Sequence, residues 1–135
     1  MTIREKAMGF HDKGCNCSQS VLCALGDETG LEETLAIRLA TCFGGGMRCG
    51  NVCGAVTGGL MALGCVCSKG QDPAAEKELS TVLAHQLEDR FTAEIGTLLC
   101  SEIQAEHEKT WCPRCIQLAA ELTREIITEY QTNNK

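Results

Sequence analysis

Phe43-Gly44-Gly45-Gly46-Met47-Arg48-Cys49-Gly50-Asn51-Val52-Cys53-Gly54-Ala55-Val56-Thr57-Gly58-Gly59-Leu60-Met61 is the stretch on which the reading of this chain turns. It places two cysteines and a run of glycines at the head of a segment, Cys49 to Ser68, that holds no charged residue. Glycine admits positive φ and close backbone approach. A thiol at a helix start is driven toward thiolate by the helix dipole and the unpaired N–H groups. The pattern predicts a buried helix from near Cys53 to about Leu63, closed by Gly64, with Gly54 and Gly58 four residues apart on a face of nearly bare backbone. Such a face can pack a neighbouring helix, let backbone approach a cofactor, or form the seam of a homodimer. The charge-free segment is about long enough to span a bilayer, but five of its residues are glycine and large apolar side chains are not continuous. A buried core helix is expected, with no stable membrane insertion.

Working outward, hydrophobic spacing reads as helix from end to end, with no convincing period-two strand. Ile3, Ala7 and Phe10 mark a first helix ending near Gly14, and Asn16 or Ser18 caps a second through Val21, Leu22 and Leu25, stopped by Gly26. Leu31, Leu35, Leu39 and Phe43 mark the apolar face of a third. Asp72-Pro73 has an N-cap residue followed by proline at the first helical position, and Ala75, Leu79, Leu83, Leu87, Phe91 and Ile95 then recur at every fourth residue. Cys112-Pro113 opens another helix through Ile116, Ala119, Ala120, Ile126, Ile127 and Tyr130. Ser101–Thr110 reads as a short helix or a loop, and Gln131–Lys135 as a frayed tail. With no repeat and no linker, residues 1–135 are expected to form one all-α domain, a bundle of about five to seven helices around the glycine-rich one.

Composition narrows the function. A formal charge of −6 without a basic stripe argues against nucleic-acid binding. Eleven cysteines in 135 residues approach the density of a secreted disulfide scaffold. Against that, Met1-Thr2-Ile3-Arg4-Glu5-Lys6 is charged with no signal-peptide core behind it, the cysteine number is odd, and the apolar content suffices for a core. The expected setting is a reducing cytoplasm, where dense cysteine points to metal or redox work.

The cysteines fall into Cys15/Cys17 and Cys65/Cys67 with one residue between, Cys49/Cys53 with three and Cys112/Cys115 with two, while Cys23, Cys42 and Cys100 stand alone. One-residue spacing suits paired metal ligation better than a disulfide. Cys112-Pro113-Arg114-Cys115 at a helix start lowers the first thiol's pKa and suits thiol–disulfide exchange, though the strand-bearing framework of a thioredoxin site is missing. Linear iron–sulfur and zinc-ribbon spacings are absent, so any metal site must be assembled from separate helices. The glycine run lacks the Gly-Lys-Ser/Thr ending of a P-loop. Met8, Val82 and Gln104 stand three before the histidines His11, His85 and His107, so no Glu-x-x-His pair is present, and all three histidines are expected on the surface.

The chain resembles the C-GCAxxG-C-C family, small helical proteins named for their spaced cysteines and credited with redox activity. Gly14-Cys15-Asn16-Cys17-Ser18-Gln19-Ser20-Val21 is similar to the family's first cysteine segment. Phe43-Gly44-Gly45-Gly46-Met47 followed by Cys53-Gly54-Ala55-Val56-Thr57-Gly58 resembles its central signature. Gly96-Thr97-Leu98-Leu99-Cys100 and Cys112-Pro113-Arg114-Cys115-Ile116 resemble the third and fourth segments. The resemblance implies a four-cysteine set, Cys17, Cys53, Cys100 and Cys112, with Cys115 at a position that is usually apolar. The segment between Cys100 and Cys112 is short for the family, and seven cysteines lie outside the set.

The leading expectation is that these four thiolates converge on an iron–sulfur cluster and serve electron transfer to a redox partner protein, with Gly54 and Gly58 bringing helix backbone against the cofactor. A thiol–disulfide enzyme using Cys112 with Cys115, or Cys53 with Cys49, is the alternative. Zinc or copper binding is the third.

Overall fold

The computed structural model describes residues 1–134. The chain starts with a capping box: the Glu5 N–H donates to the Thr2 hydroxyl at 3.1 Å while the Thr2 N–H donates to the Glu5 carboxylate at 3.1 Å, launching α1 (Ile3–Asp12). A second box, between Asn16 and Gln19, launches α2 (Cys17–Ala24). One turn, α3 (Gly26–Thr29), follows, so Gly26 opens a helix instead of ending one, and Gly30 at φ +75° closes it. Then come α4 (Glu33–Ala40), a 3₁₀ turn over Thr41–Phe43, the glycine loop, α5 (Gly54–Cys67), α6 (Lys77–Ile95), α7 (Cys100–His107), a 3₁₀ turn over Glu108–Trp111, and α8 (Cys112–Asn133). Seven helices have eight residues or more, and among the described residues there is no strand. The expected all-α bundle is what the structure shows.

α5 lies at the centre, packed on α2, α6 and α8, and α1 closes the bundle across α2 and α8. Val21, Leu22, Leu25, Val56, Leu87, Phe91, Ile116, Ile126 and Ile127 fill the core between them. The bare face of α5 is what makes this possible. A Cβ at Gly58 would lie 2.5 Å from the Ser18 carbonyl oxygen, and one at Gly54 would lie 3.0 Å from the Phe43 carbonyl oxygen and 3.2 Å from the Cys17 Cβ. Gly59 gives the same room to the Thr123 hydroxyl and Leu87 on α8 and α6. The glycine seam is therefore occupied within the chain. The buried hydroxyls of Ser18 and Thr57 pair at 3.3 Å, and Thr57 donates to the Gly54 carbonyl at 2.9 Å, so neither is left unsatisfied.

Several boundaries differ from the sequence expectation, each for a local reason. α5 continues past Gly64 to Cys67, because Leu63 and Cys67 still have core to bury and one interior glycine is only a weak breaker. α6 begins at Lys77: residues 73–76 form a turn held by the Ala75 N–H on the Asp72 carbonyl, and Glu76 reaches back to the Ser68 hydroxyl and the Lys69 N–H. On α4 the buried residues are Ala36 and Ala40, whereas Leu35 and Leu39 are 42% and 50% exposed. Asn16 and Gln19 donate from α2 to its C-terminal carbonyls, which brings Ala36 and Ala40 inward and leaves Leu35 and Leu39 outside. Gln131, Thr132 and Asn133 are helical rather than frayed, and Lys135 lies outside the described residues.

Ion pairs brace the outside. Arg4 grips Glu121 through two bonds of 2.7 and 3.1 Å, joining α1 to α8, and Arg90 grips Glu129, joining α6 to α8. Each is solvent-screened and contributes at most about 1 kcal/mol.

The glycine packing is directly testable by urea unfolding. Gly58→Ala should destabilise the protein by about 1–3 kcal/mol, because Ser18 backbone must move. Gly64→Ala, on the same helix with nothing within 4 Å of the added carbon, should stabilise it by about 0.4–1 kcal/mol.

Candidate functional site

Four helices begin at one pole of the molecule, each with a cysteine. Cys17 and Cys100 are the first residues of α2 and α7, Cys53 is the N-cap of α5, Cys112 opens α8, and Cys115 stands one turn further on. All five line one cavity of about 350 Å³, together with His11, Asn16, Gly45, Arg48, Gly54, Ile103, Gln104, Lys109 and Pro113.

Local chemistry puts them there. The Asn16 capping box fixes Cys17, and the Asn16 amide also donates to the Thr41 carbonyl at 3.1 Å. Gly44 is required by this contact, since a Cβ there would lie 2.8 Å from the Asn16 Cβ. An isolated antiparallel bridge, Val52 with Leu99, ties the next two cysteines together. In it the Cys53 N–H donates to the Leu98 carbonyl at 2.7 Å and the Cys100 N–H to the Asn51 carbonyl at 2.8 Å. Between these anchors Gly45, Gly46, Met47 and Arg48 all take left-handed φ, from +60° to +64°. Gly46 must be glycine, because its Cβ would meet Cys100 at 2.7 Å. For Met47 and Arg48 the left-handed backbone costs about 1–2 kcal/mol each. It sets Arg48 over the cavity, with Nη2 donating to the Thr41 carbonyl at 2.8 Å. At the other wall Trp111 stacks on His107 at 3.5 Å, and the Arg114 guanidinium lies 4.3 Å from the Trp111 ring, fixing the corner from which Cys112 enters.

A family model described as "Putative redox-active protein (C_GCAxxG_C_C)" matches residues 15–126. The chain belongs to the C_GCAxxG_C_C family. No curated protein and no solved structure matches it. The C_GCAxxG_C_C match spans all five cavity cysteines and leaves out His11.

Within this C_GCAxxG_C_C site the thiols pair across helices. Cys17 donates its S–H to Cys112, and this bond, aided by His11 and Lys109, lowers the Cys112 pKa to about 6 against the opposing effect of burial. Cys17, the donor and deeply buried, is raised far above the ordinary thiol range. Cys115 in the same way donates to Cys53, which is also held by the N–H groups of Ala55 and Val56 and is lowered despite burial. Cys115 is raised strongly. Cys100 is raised chiefly by burial, while the Gln104 amide donates to its Sγ at 3.1 Å. Within each pair the bond lowers the acceptor and raises the donor: Cys112 and Cys53 move down, Cys17 and Cys115 up. No carboxylate lines it.

The four cysteines implied by the resemblance all reach the cavity, and so does Gly54. Gly58 does not; its bare face serves the contact with Ser18. Cys49 is exposed and donates to the Gly46 carbonyl at 3.5 Å, away from Cys53. Cys112 and Cys115 share a helix, but each bonds to a cysteine of another element. Of the histidines only His85 is exposed: His11 is half-buried at the cavity with Nδ1 on the Cys15 carbonyl at 3.2 Å, and His107 lies under Trp111. Spacing carried no signal for His11, Arg48, Gln104 or Lys109, which arrive from four different segments. Among the described residues, no three of His, Cys, Asp and Glu form a group that could hold a metal ion as they stand, and no helix is long and apolar enough to cross a membrane.

In metal-free protein, alkylation by iodoacetamide, resolved by peptide mass spectrometry, should be fastest at Cys112. Its rate should be high at neutral pH and fall away through about pH 6, since a lowered pKa keeps the thiolate until acid titrates it. Cys17→Ala removes the donor, and the midpoint should climb toward the ordinary thiol value of about 8.5.

Proposed function

We propose that this C_GCAxxG_C_C protein holds an iron–sulfur centre on Cys17, Cys53, Cys100 and Cys112 and passes electrons to a partner protein. The observation that carries the reading is the delivery of five sulfurs by four helix starts into a single cavity free of carboxylates. Soft thiolates are the donor set that iron–sulfur clusters take, and the positive ends of helix dipoles favour the negative charge such a set accumulates. When bound, the centre supplies reversible one-electron transfer. The protein's own groups supply the rest. The N–H groups of Ala55 and Val56 and the Gln104 amide point hydrogen bonds at sulfur, and Ile103 and Gly54 shield the cavity. Cys17 must give up its proton on ligation.

A second reading has its own support in the two hydrogen-bonded cysteine pairs. Here the Cys112 thiolate attacks a disulfide of the partner, and one partner sulfur leaves as thiolate. Cys17, after losing its proton, attacks the Cys112 sulfur of the mixed disulfide. A Cys17–Cys112 disulfide forms and the partner leaves as a dithiol, two electrons having passed to it. The pairing differs from Cys112/Cys115 and Cys49/Cys53 because the structure directs those side chains elsewhere.

Protein purified without oxygen should be brown, with iron and acid-labile sulfide in stoichiometric amounts by chemical assay. Cys53→Ser should abolish both, and Cys23→Ser, in the core away from the cavity, should retain them. Colourless protein that resists reconstitution and carries a reducible Cys17–Cys112 disulfide would replace the cluster by dithiol chemistry. Stoichiometric zinc would replace both.

A further inference from the structure

We propose that the mouth of the cysteine cavity is a docking face for an acidic surface on the redox partner, recognised by Arg48 and Lys109, with Arg114 following the lining residue Pro113 on α8. The inference rests on the redox reading above and names the chemistry of the partner. The chain carries 18 acidic against 12 basic residues, yet Arg48 and Lys109 line the cavity and no Asp or Glu does. The same two residues line an adjoining surface hollow beside Cys100, which also lacks acids. They therefore stand on the ridge between the two.

Their charges are unspent. Among the described residues the ion pairs are Arg4–Glu121, Lys6–Asp27, Arg90–Glu129 and His107–Glu106, and none of Arg48, Lys109 and Arg114 takes part. The acids nearest in sequence are turned away: Glu102 accepts from Thr97, Glu106 faces His107, and Glu108 lines neither hollow. Arg48, Lys109 and Arg114 are all exposed.

Two of them are also held in place. Arg48 keeps a left-handed backbone at φ +61° and spends one guanidinium nitrogen on the Thr41 carbonyl, leaving the rest free. The Arg114 guanidinium sits over the Trp111 ring at 4.3 Å, and that ring is itself stacked on His107. A cation fixed before contact loses less side-chain entropy on binding. With the remaining surface acidic, an acidic partner is attracted at this mouth and repelled elsewhere, which orients the encounter on the sulfurs. A nucleic acid, charged along its whole length, meets the net charge of −6 and is disfavoured.

The test uses the full chain and a fluorescein-labelled deca-glutamate peptide, with binding followed by anisotropy and by the fluorescence of Trp111, the one tryptophan present. Saturable binding is expected at low salt, weakening about tenfold as salt rises to about 0.2 M. Arg48→Glu and Lys109→Glu, separately and together, should weaken it by a similar factor, while Lys77→Glu, the same charge change at an exposed position on α6, should leave it unchanged. Lys109→Glu alone guards against misfolding at the strained Arg48. Equal loss with Lys77→Glu, no binding of the peptide, or tighter binding of an oligothymidylate of equal charge would each overturn the proposal. The assay requires no electron flow: peptide binding by colourless protein removes the cluster reading and leaves this face standing, whereas brown protein that ignores the peptide removes the face alone.

Discussion

The contact between Gly58 and the Ser18 carbonyl is the constraint from which the rest of the architecture follows. A carbonyl oxygen occupies the place of a side chain, so α2 and α5 pack backbone to backbone and cannot slide or rotate past one another. Because Cys17 opens α2 and Cys53 caps α5, that fixed contact also fixes the distance between the first two sulfurs. The buried Ser18–Thr57 hydrogen bond beside it keeps the seam polar-satisfied where no side chain could otherwise fill it.

The other sulfurs are referred to this frame by hydrogen bonds instead of packing. The Val52–Leu99 bridge carries Cys100 to Cys53, and the stacked His107–Trp111 corner turns the chain so that α8 enters with Cys112 and Cys115 on the same side. Helix starts are an economical way to gather sulfur. Their free N–H groups favour the charged form, which partly offsets the cost of placing thiolates in a low-dielectric cavity. Pairing each lowered thiol with a raised one, Cys112 with Cys17 and Cys53 with Cys115, shares that cost between the helices.

Much of this was legible in the sequence. Four-residue recurrence located α6, the Cys112-Pro113 start located α8, the Ile3, Ala7 and Phe10 face located α1, Asn16 located α2, and the glycines of α5 announced a close approach of backbone. The four family cysteines were named by the resemblance, and all four line the one cavity. What the sequence concealed is tertiary. Leu35 and Leu39 read as a core face until the amides of Asn16 and Gln19 are seen to pull α4 in by its carbonyls. Gly58 read as a place for a cofactor, and only the path of α2 shows that Ser18 fills it. The left-handed Met47 and Arg48 break the local rule that bulky residues avoid positive φ, and no spacing announces that. Cys115 joined the site through its position one turn after Cys112, with Cys53 rather than its sequence neighbour as partner.

The manner in which α4 is held bears on how the molecule breathes. It buries two alanines, shows two leucines to solvent, and is tethered chiefly by side-chain amides on its carbonyls: Gln19 on Ile37, Asn16 on Ala40 and Thr41. Little apolar area resists its detachment, so it forms a low-stability unit beside a rigid α2–α5 pair. Amide hydrogens of α4 are accordingly expected to exchange with solvent through local opening before those of α5 and α8. Each such opening releases the Asn16 amide from Thr41 and loosens the glycine loop above the sulfurs. Access to the cavity between the helix starts is therefore expected to follow the departure of one short helix, not the unfolding of the bundle.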